Sequence, residues 1–93
     1  MKYVVLSVKS KSDNGIEREI PIIFPNILVH EDVYNHIQIL LDLSKNDIKP
    51  VSAGEYCPMR GICYGDSFTL KLSSREDKDT NLIKMIDYTG GAV

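Results

Sequence analysis

The fold is decided by the stretch YVVLSV, residues Tyr3 to Val8. Val4, Leu6 and Val8 share one face of an extended chain, and the residues between them, which share the other face, are also largely apolar. A strand with one solvated face would alternate apolar and polar residues, so this pattern predicts an inner strand of a sheet.

A second strand is predicted directly after the first. Residues 11–15 have turn composition, and Asn14-Gly15 tolerates positive φ, so the chain should return as a hairpin into Ile16 to Phe24. Pro21 lies inside this segment and has no backbone N–H for a ladder. The second strand is therefore expected to be an edge strand or to bulge at Pro21.

A helix is predicted from Glu31 to about Leu43, because acidic residues in a first turn complement the helix dipole. His36 should lie beside the core-facing stripe, and His30 should lie near the helix entrance with a backbone partner. The stripe itself has helical spacing and consists of Val33, Ile37, Leu40, Leu41 and Ser44.

A second pair of strands is predicted at Val51 to Tyr56 and Ile62 to Leu72, with a bulge or bend at Gly65-Asp66. Strict alternation in residues 67–72 predicts Phe68 and Leu72 on the inward face together with Leu70.

The last helix is predicted to follow a capping box and to run to about Asp87. Two frames fit the box, Ser73 with Glu76 or Ser74 with Asp77. Gly90-Gly91 should end the helix, with Tyr88 and Val93 docking beside it. Its buried residues should be Leu82, Ile83 and Ile86.

These elements predict a single α+β domain over residues 1–93 with the order β-β-α-β-β-α. We expect a four-stranded, mainly antiparallel sheet with both helices on one face. The opposite face, with Tyr3, Val5 and Ile23, would then be apolar and uncovered, which favours a homodimer.

Composition narrows the classes of function. Hydrophobic residues make up 43% and charged residues 26% of the chain, as in ordinary soluble domains, and no apolar run approaches the roughly 20 residues that span a bilayer. We expect a cytoplasmic protein that does not contact the membrane. The net charge of −2 and the scattered lysines argue against nucleic acid as the partner. A nucleic-acid-binding regulator stays an alternative if folding gathers Lys45, Lys49, Arg60 and Lys71.

Cys57 and Cys63 are the two thiols of the chain. A cytoplasmic protein should keep both reduced, although a disulfide across residues 58–62 is an alternative. Their spacing does not fit zinc, and we expect no cofactor. A thiol-dependent enzyme that uses Cys57 or Cys63 with a histidine base is a further alternative. Glu76, Asp77 and Asp79 could bind a divalent cation, but helix-dipole complementation explains them better.

The sequence contains no recognisable combination of catalytic residues, so we expect a binding module rather than an enzyme. Aromatic, methionine and arginine side chains carry much of the energy of protein interfaces. The predicted contact residues, centred on the tip of the second hairpin, are Tyr34, Tyr56, Pro58, Met59, Arg60 and Tyr64.

Four segments together resemble small uncharacterised proteins encoded by phages and prophages: Ile20 to Pro25 leading to Leu28-Val29-His30, Val51 to Glu55, Gly65 to Leu70, and Leu72 to Arg75. The resemblance implies a short accessory protein in a bacterial host. It implies no activity or catalytic residue, and it leaves inhibitor, regulator and virion component open.

Overall fold

The computed structural model describes residues 1–12 and 16–91, with side chains through residue 86. The predicted turn residues Asn14-Gly15 and the predicted docking of Tyr88 and Val93 lie outside what it describes. The elements are β1 (Lys2–Ser10), β2 (Glu17–Phe24), α1 (His30–Leu40), β3 (Asn46–Cys57), β4 (Ile62–Tyr64), β5 (Asp66–Ser67), β6 (Leu72–Ser73) and α2 (Asp77–Gly91).

The main sheet has four antiparallel strands in the order β2-β1-β3-β4, which confirms the predicted fold class. β1 is an inner strand, as its apolar residues on both faces predicted. β2 is an edge strand, with Pro21 opposite Val5 of β1. A sheet tolerates proline at an edge because no strand beyond it requires the missing donor.

The helices lie on opposite faces of this sheet, so the prediction that both cover one face is wrong. Val4 and Leu6 of β1 belong to a cluster that packs against α1, whereas Tyr3 and Val5 pack with Ile83 of α2. Because successive side chains of a strand point to opposite faces, the two clusters are separate cores. The face predicted to be free for a second copy is covered by α2.

α1 ends at Leu40, about three residues earlier than predicted. Asp42 follows with φ 57°, a left-handed conformation that a helix does not contain. The Asn46 side chain at the start of β3 donates from Nδ2 to the carbonyl oxygen of Leu41 at 2.7 Å. Leu40, which was predicted to lie in the core-facing stripe, is 78% exposed, and Tyr34 instead packs beside Val33, Ile37 and Leu41.

The predicted strand from Ile62 to Leu72 is broken into β4 and a small β5–β6 hairpin. Gly65 has φ 78°, so the expected bend is present there. Ser67 then accepts a hydrogen bond on Oγ from the N–H of Leu70 at 3.2 Å, which stabilises a turn instead of a ladder. Phe68 lies in this turn and is 94% exposed, contrary to its predicted inward position.

A short turn precedes α2, in which Ser74 Oγ accepts from the N–H of Glu76 at 3.0 Å. Glu76 has φ 29°, which is not helical, and its carbonyl oxygen accepts from the N–H of Thr80 at 2.8 Å, so Glu76 is the residue before the helix and the predicted capping box starting at Ser73 or Ser74 is wrong. Ile83 is buried and Leu82 packs against the same core, as predicted. Ile86 is half-exposed, so its predicted burial is wrong.

Candidate functional site

Large apolar side chains are exposed on the two segments that meet at the start of α1. Ile27 is 88% exposed, and Leu28 and Val29 after it are also exposed, while Phe68 extends from the turn between β5 and β6. We call Ile27, Leu28, Val29 and Phe68 the α1-entrance surface. Exposed groups of this kind on a small domain are typical of sites that contact a partner.

Hydrogen bonds hold both segments of the α1-entrance surface in place. The N–H of Leu28 donates to the Pro25 carbonyl oxygen at 3.1 Å, and Lys2 Nζ donates to the Leu28 carbonyl oxygen at 2.9 Å. The N–H of Glu31, in the first turn of α1, donates to Thr69 Oγ1 at 3.3 Å and so ties the turn that carries Phe68 to the helix. The surface is therefore built on a fixed backbone, which lowers the entropy lost on binding.

A groove of about 450 Å³ runs along one flank of α1 beside this surface. We call it the α1 groove; its lining residues are Leu28, Asp32, Val33, His36 and Ile37. His36 Nδ1 lies 2.7 Å from the Asp32 carbonyl oxygen. Because a carbonyl oxygen accepts, Nδ1 carries the proton, and Nε2 of the neutral ring is left as an acceptor.

The hairpin tip between β3 and β4 carries three of the predicted contact residues. Pro58, Met59 and Arg60 are all exposed in a turn closed by a 2.7 Å hydrogen bond from the N–H of Gly61 to the Cys57 carbonyl oxygen. Met59 is 98% exposed, so its side chain contacts almost nothing in its own chain.

The other three predicted contact residues have different surroundings. Tyr56 is a buried core residue of the α2 side, so it does not belong to an exposed contact surface. Tyr64 in β4 is partly exposed. Tyr34 is half-buried on α1 and donates to the Ile48 carbonyl oxygen at 3.2 Å. Ile48 lies nine residues before Cys57 along β3, about 30 Å for an extended chain, so Tyr34 is remote from the tip.

The two cysteines are free thiols on opposite faces of the β3–β4 pair. In the antiparallel register Cys57 lies opposite Ile62, and Cys63 lies opposite Tyr56. Because neighbouring positions of a strand point to opposite faces, the two thiols do not share a face. A disulfide between them would require a different register, which argues against the alternative raised from the sequence.

The thiols are also poorly placed for catalysis. Burial raises the pKa of the Cys63 thiol, which disfavours the nucleophilic thiolate. His30 is buried, with Nε2 3.0 Å from the Gly54 carbonyl oxygen and its ring edge-on to Phe24, so its predicted backbone partner is present. His36 bonds to its own helix. In the described part of the chain, the imidazoles of His30 and His36 thus bond to backbone carbonyl oxygens and not to a thiol.

A buried polar cluster that the sequence analysis missed joins α2 to the sheet. Tyr3 Oη of β1 donates to Asp79 Oδ2 at 2.6 Å and lies 2.6 Å from Ser74 Oγ. A phenol has one proton, and the carboxylate takes it, so the Ser74 hydroxyl is the donor in the second bond. Asp79 also accepts from the backbone N–H and the Nε of Arg75, each at 2.9 Å. The Arg75 guanidinium reaches on to Glu19 of β2 at 3.0 Å.

These contacts set the charge states within the cluster. Burial alone would raise the pKa of Asp79, but hydrogen bonds from Tyr3 and Arg75 lower it below the ordinary aspartate value. The hydrogen bond from Arg75 likewise lowers the pKa of Glu19. Burial and the neighbouring Asp79 raise the pKa of Tyr3. The cluster is thus an ion-pair network with a neutral tyrosine, suited to holding α2 in place.

The acidic residues at the start of α2 do not form a cation site. Asp79 is fully buried and bonded to Tyr3 and Arg75, whereas Glu76 and Asp77 are exposed. Within residues 1–12 and 16–91, no group of three or more histidine, cysteine or acidic side chains is arranged to hold a metal ion.

The geometry therefore defines a small α+β domain whose described residues include two exposed groups, the α1-entrance surface and the hairpin tip, and no recognisable set of catalytic side chains. No model of a known protein family matches the chain, and neither the curated proteins nor the solved structures include a significant match. In the described part of the chain, none of the helices has the length and apolar character needed to cross a bilayer.

Proposed function

We propose that this protein is a small non-catalytic binding module, an accessory protein of the phage or prophage type, that acts in the bacterial cytoplasm by contacting another protein. One observation carries the proposal: Ile27 and Phe68, both nearly fully exposed, are held on fixed backbone at the start of α1. Large apolar and aromatic side chains that are pre-organised in this way are the usual anchors of protein interfaces.

The alternative classes have less support. A thiol enzyme needs an activated thiolate, whereas Cys63 is buried with a raised pKa. A nucleic-acid-binding protein needs a concentration of positive charge, whereas the first turn of α1, beside the exposed apolar side chains, carries Glu31 and Asp32. A protein partner fits an apolar surface with an acidic rim better than a phosphate backbone does.

Capture of partners from a bacterial lysate tests the proposal when it is done with matched surface variants. The immobilised wild-type protein is compared with Ile27→Asp and Phe68→Asp, which place a charge on the α1-entrance surface. Met59→Asp is the control, because Met59 is at least as exposed but lies at the hairpin tip. A charge at the centre of an apolar interface weakens binding severely.

We expect wild type and Met59→Asp to retain the same partner in similar amounts, and both α1-entrance variants to lose it. Equal recovery by all four proteins would contradict the assignment of the surface. If the wild type retains no protein above the level of an unrelated control domain, the proposed function is wrong. Circular dichroism of each variant checks that the fold is unchanged.

A further inference from the structure

The α1 groove and the hairpin tip have complementary chemistry. The groove has an apolar floor of Leu28, Val33 and Ile37, and acceptors at its rim. The tip presents an exposed methionine next to an exposed arginine, Met59-Arg60. We propose that the tip of one molecule binds in the α1 groove of a second copy, so that the protein associates head to tail.

The apolar part of the match is methionine against an aliphatic floor. Met59 is 98% exposed, so it is not docked in the groove of its own chain and is available to another molecule. Methionine is unbranched and flexible, which lets it fill an irregular apolar groove. The groove volume of about 450 Å³ accommodates a side chain of this size.

The polar part of the match is arginine against two acceptors. The Asp32 carboxylate at the groove rim has no cationic partner among the ion pairs of the described residues. His36, which lines the groove, donates from Nδ1 to the Asp32 carbonyl oxygen, and this leaves Nε2 as a second acceptor. α1 contains no lysine or arginine that would repel a cation. A guanidinium has five N–H donors and can bond to both acceptors together.

Both partners are rigid, which favours the contact. The tip turn is closed by the hydrogen bond from Gly61 to Cys57, and the groove is part of a helix packed on the sheet. Because the tip and the groove are different surfaces, the contact is heterologous: each bound molecule still presents a free tip or a free groove. Association should therefore continue beyond a dimer as concentration rises.

Reversing the charge of Arg60 or of Asp32 in the full chain tests the proposal. Arg60→Asp should repel the Asp32 carboxylate, and Asp32→Arg should repel the arginine of an incoming tip. We expect each variant alone to associate at least tenfold more weakly than wild type. An equimolar mixture of the two restores both opposite-charge contacts and should recover association. Glu31→Arg, one residue away in the same helical turn but outside the groove lining, is the matched control and should behave as wild type.

Sedimentation equilibrium gives the readout. The average mass of wild type should rise above the 10.5 kDa of one chain across the micromolar to millimolar range, and the rise should diminish with added salt. A wild type that stays monomeric throughout would overturn the proposal. So would single variants that associate as wild type does, or a mixture that fails to recover. Phe68→Asp should self-associate normally, which separates this inference from the proposed partner binding.

Discussion

Replacing Tyr3 with phenylalanine tests whether the buried polar cluster fastens α2 to the sheet. The substitution keeps the ring but removes the hydroxyl that donates to Asp79, a fully buried carboxylate, at 2.6 Å. A hydrogen bond to a charged group contributes about 1.5–3 kcal/mol, and the Ser74 hydroxyl also loses its acceptor. We expect the free energy of unfolding to fall by about 2 kcal/mol.

Urea unfolding followed by circular dichroism measures this loss, with Tyr34→Phe as the internal control. The Tyr34 hydroxyl bonds to neutral partners, Ile48 and Gln38, and is half-buried, so its removal should cost about 0.5–1 kcal/mol. A Tyr3→Phe variant no less stable than Tyr34→Phe would refute the reasoning.

The unfolding free energy lost on the Tyr3→Phe substitution should also depend on pH. The pKa of Asp79 is lower in the folded protein than its ordinary value, so the stabilisation is present above about pH 4 and is lost as the pH falls through the folded value. The difference in unfolding free energy between wild type and Tyr3→Phe should therefore be smaller at about pH 2 than at about pH 7. A difference that does not change with pH would show that the hydroxyl does not act through the ionised carboxylate.

Three further predictions concern packing and reactivity. Ile83→Ala should destabilise the fold by about 2–5 kcal/mol, whereas Ile39→Ala at an exposed position should change stability by less than about 0.5 kcal/mol; similar losses in urea unfolding would contradict the assigned core. Gly54→Ala should cost about 2 kcal/mol or more by the same assay, because its Cβ would lie 2.5 Å from the Tyr64 carbonyl oxygen. Cys63 should react with a thiol-specific reagent at least tenfold more slowly than the half-buried Cys57, and equal rates would show that Cys63 is accessible.

The position of a strand in the sheet could be predicted where its residues are compatible with only one position, inner or edge. Residues 3–6 are apolar on both faces, which requires an inner strand, and Pro21 requires an edge. The prediction placed both helices on one face of the sheet, although the apolar residues on both faces of β1 already indicated a helix on each face. A strand buried on both faces needs a cover on each face, and the sequence contains one helix for each side.

The α1-entrance surface could not be predicted in the same way. Phe68, followed at two-residue spacing by Leu70 and Leu72, has the alternation of a half-buried strand. A hydrogen bond from the N–H of Leu70 to the Ser67 hydroxyl stabilises a turn at these residues instead of a strand, and Phe68 in this turn is exposed. Asp79 was interpreted as a dipole complement, because its partner Tyr3 is 76 residues away in the chain and no local pattern records such distant pairing.

The central position of β1 has a consequence for how the molecule can open. Its even-numbered side chains Val4 and Leu6 belong to the α1 core, and its odd-numbered side chains Tyr3 and Val5 belong to the α2 core. Each helix therefore has its own interface with a sheet that both share. Local opening can release one helix while the ladder and the opposite core persist. Amide hydrogen exchange would then show two protection levels in the helices, both below that of β1.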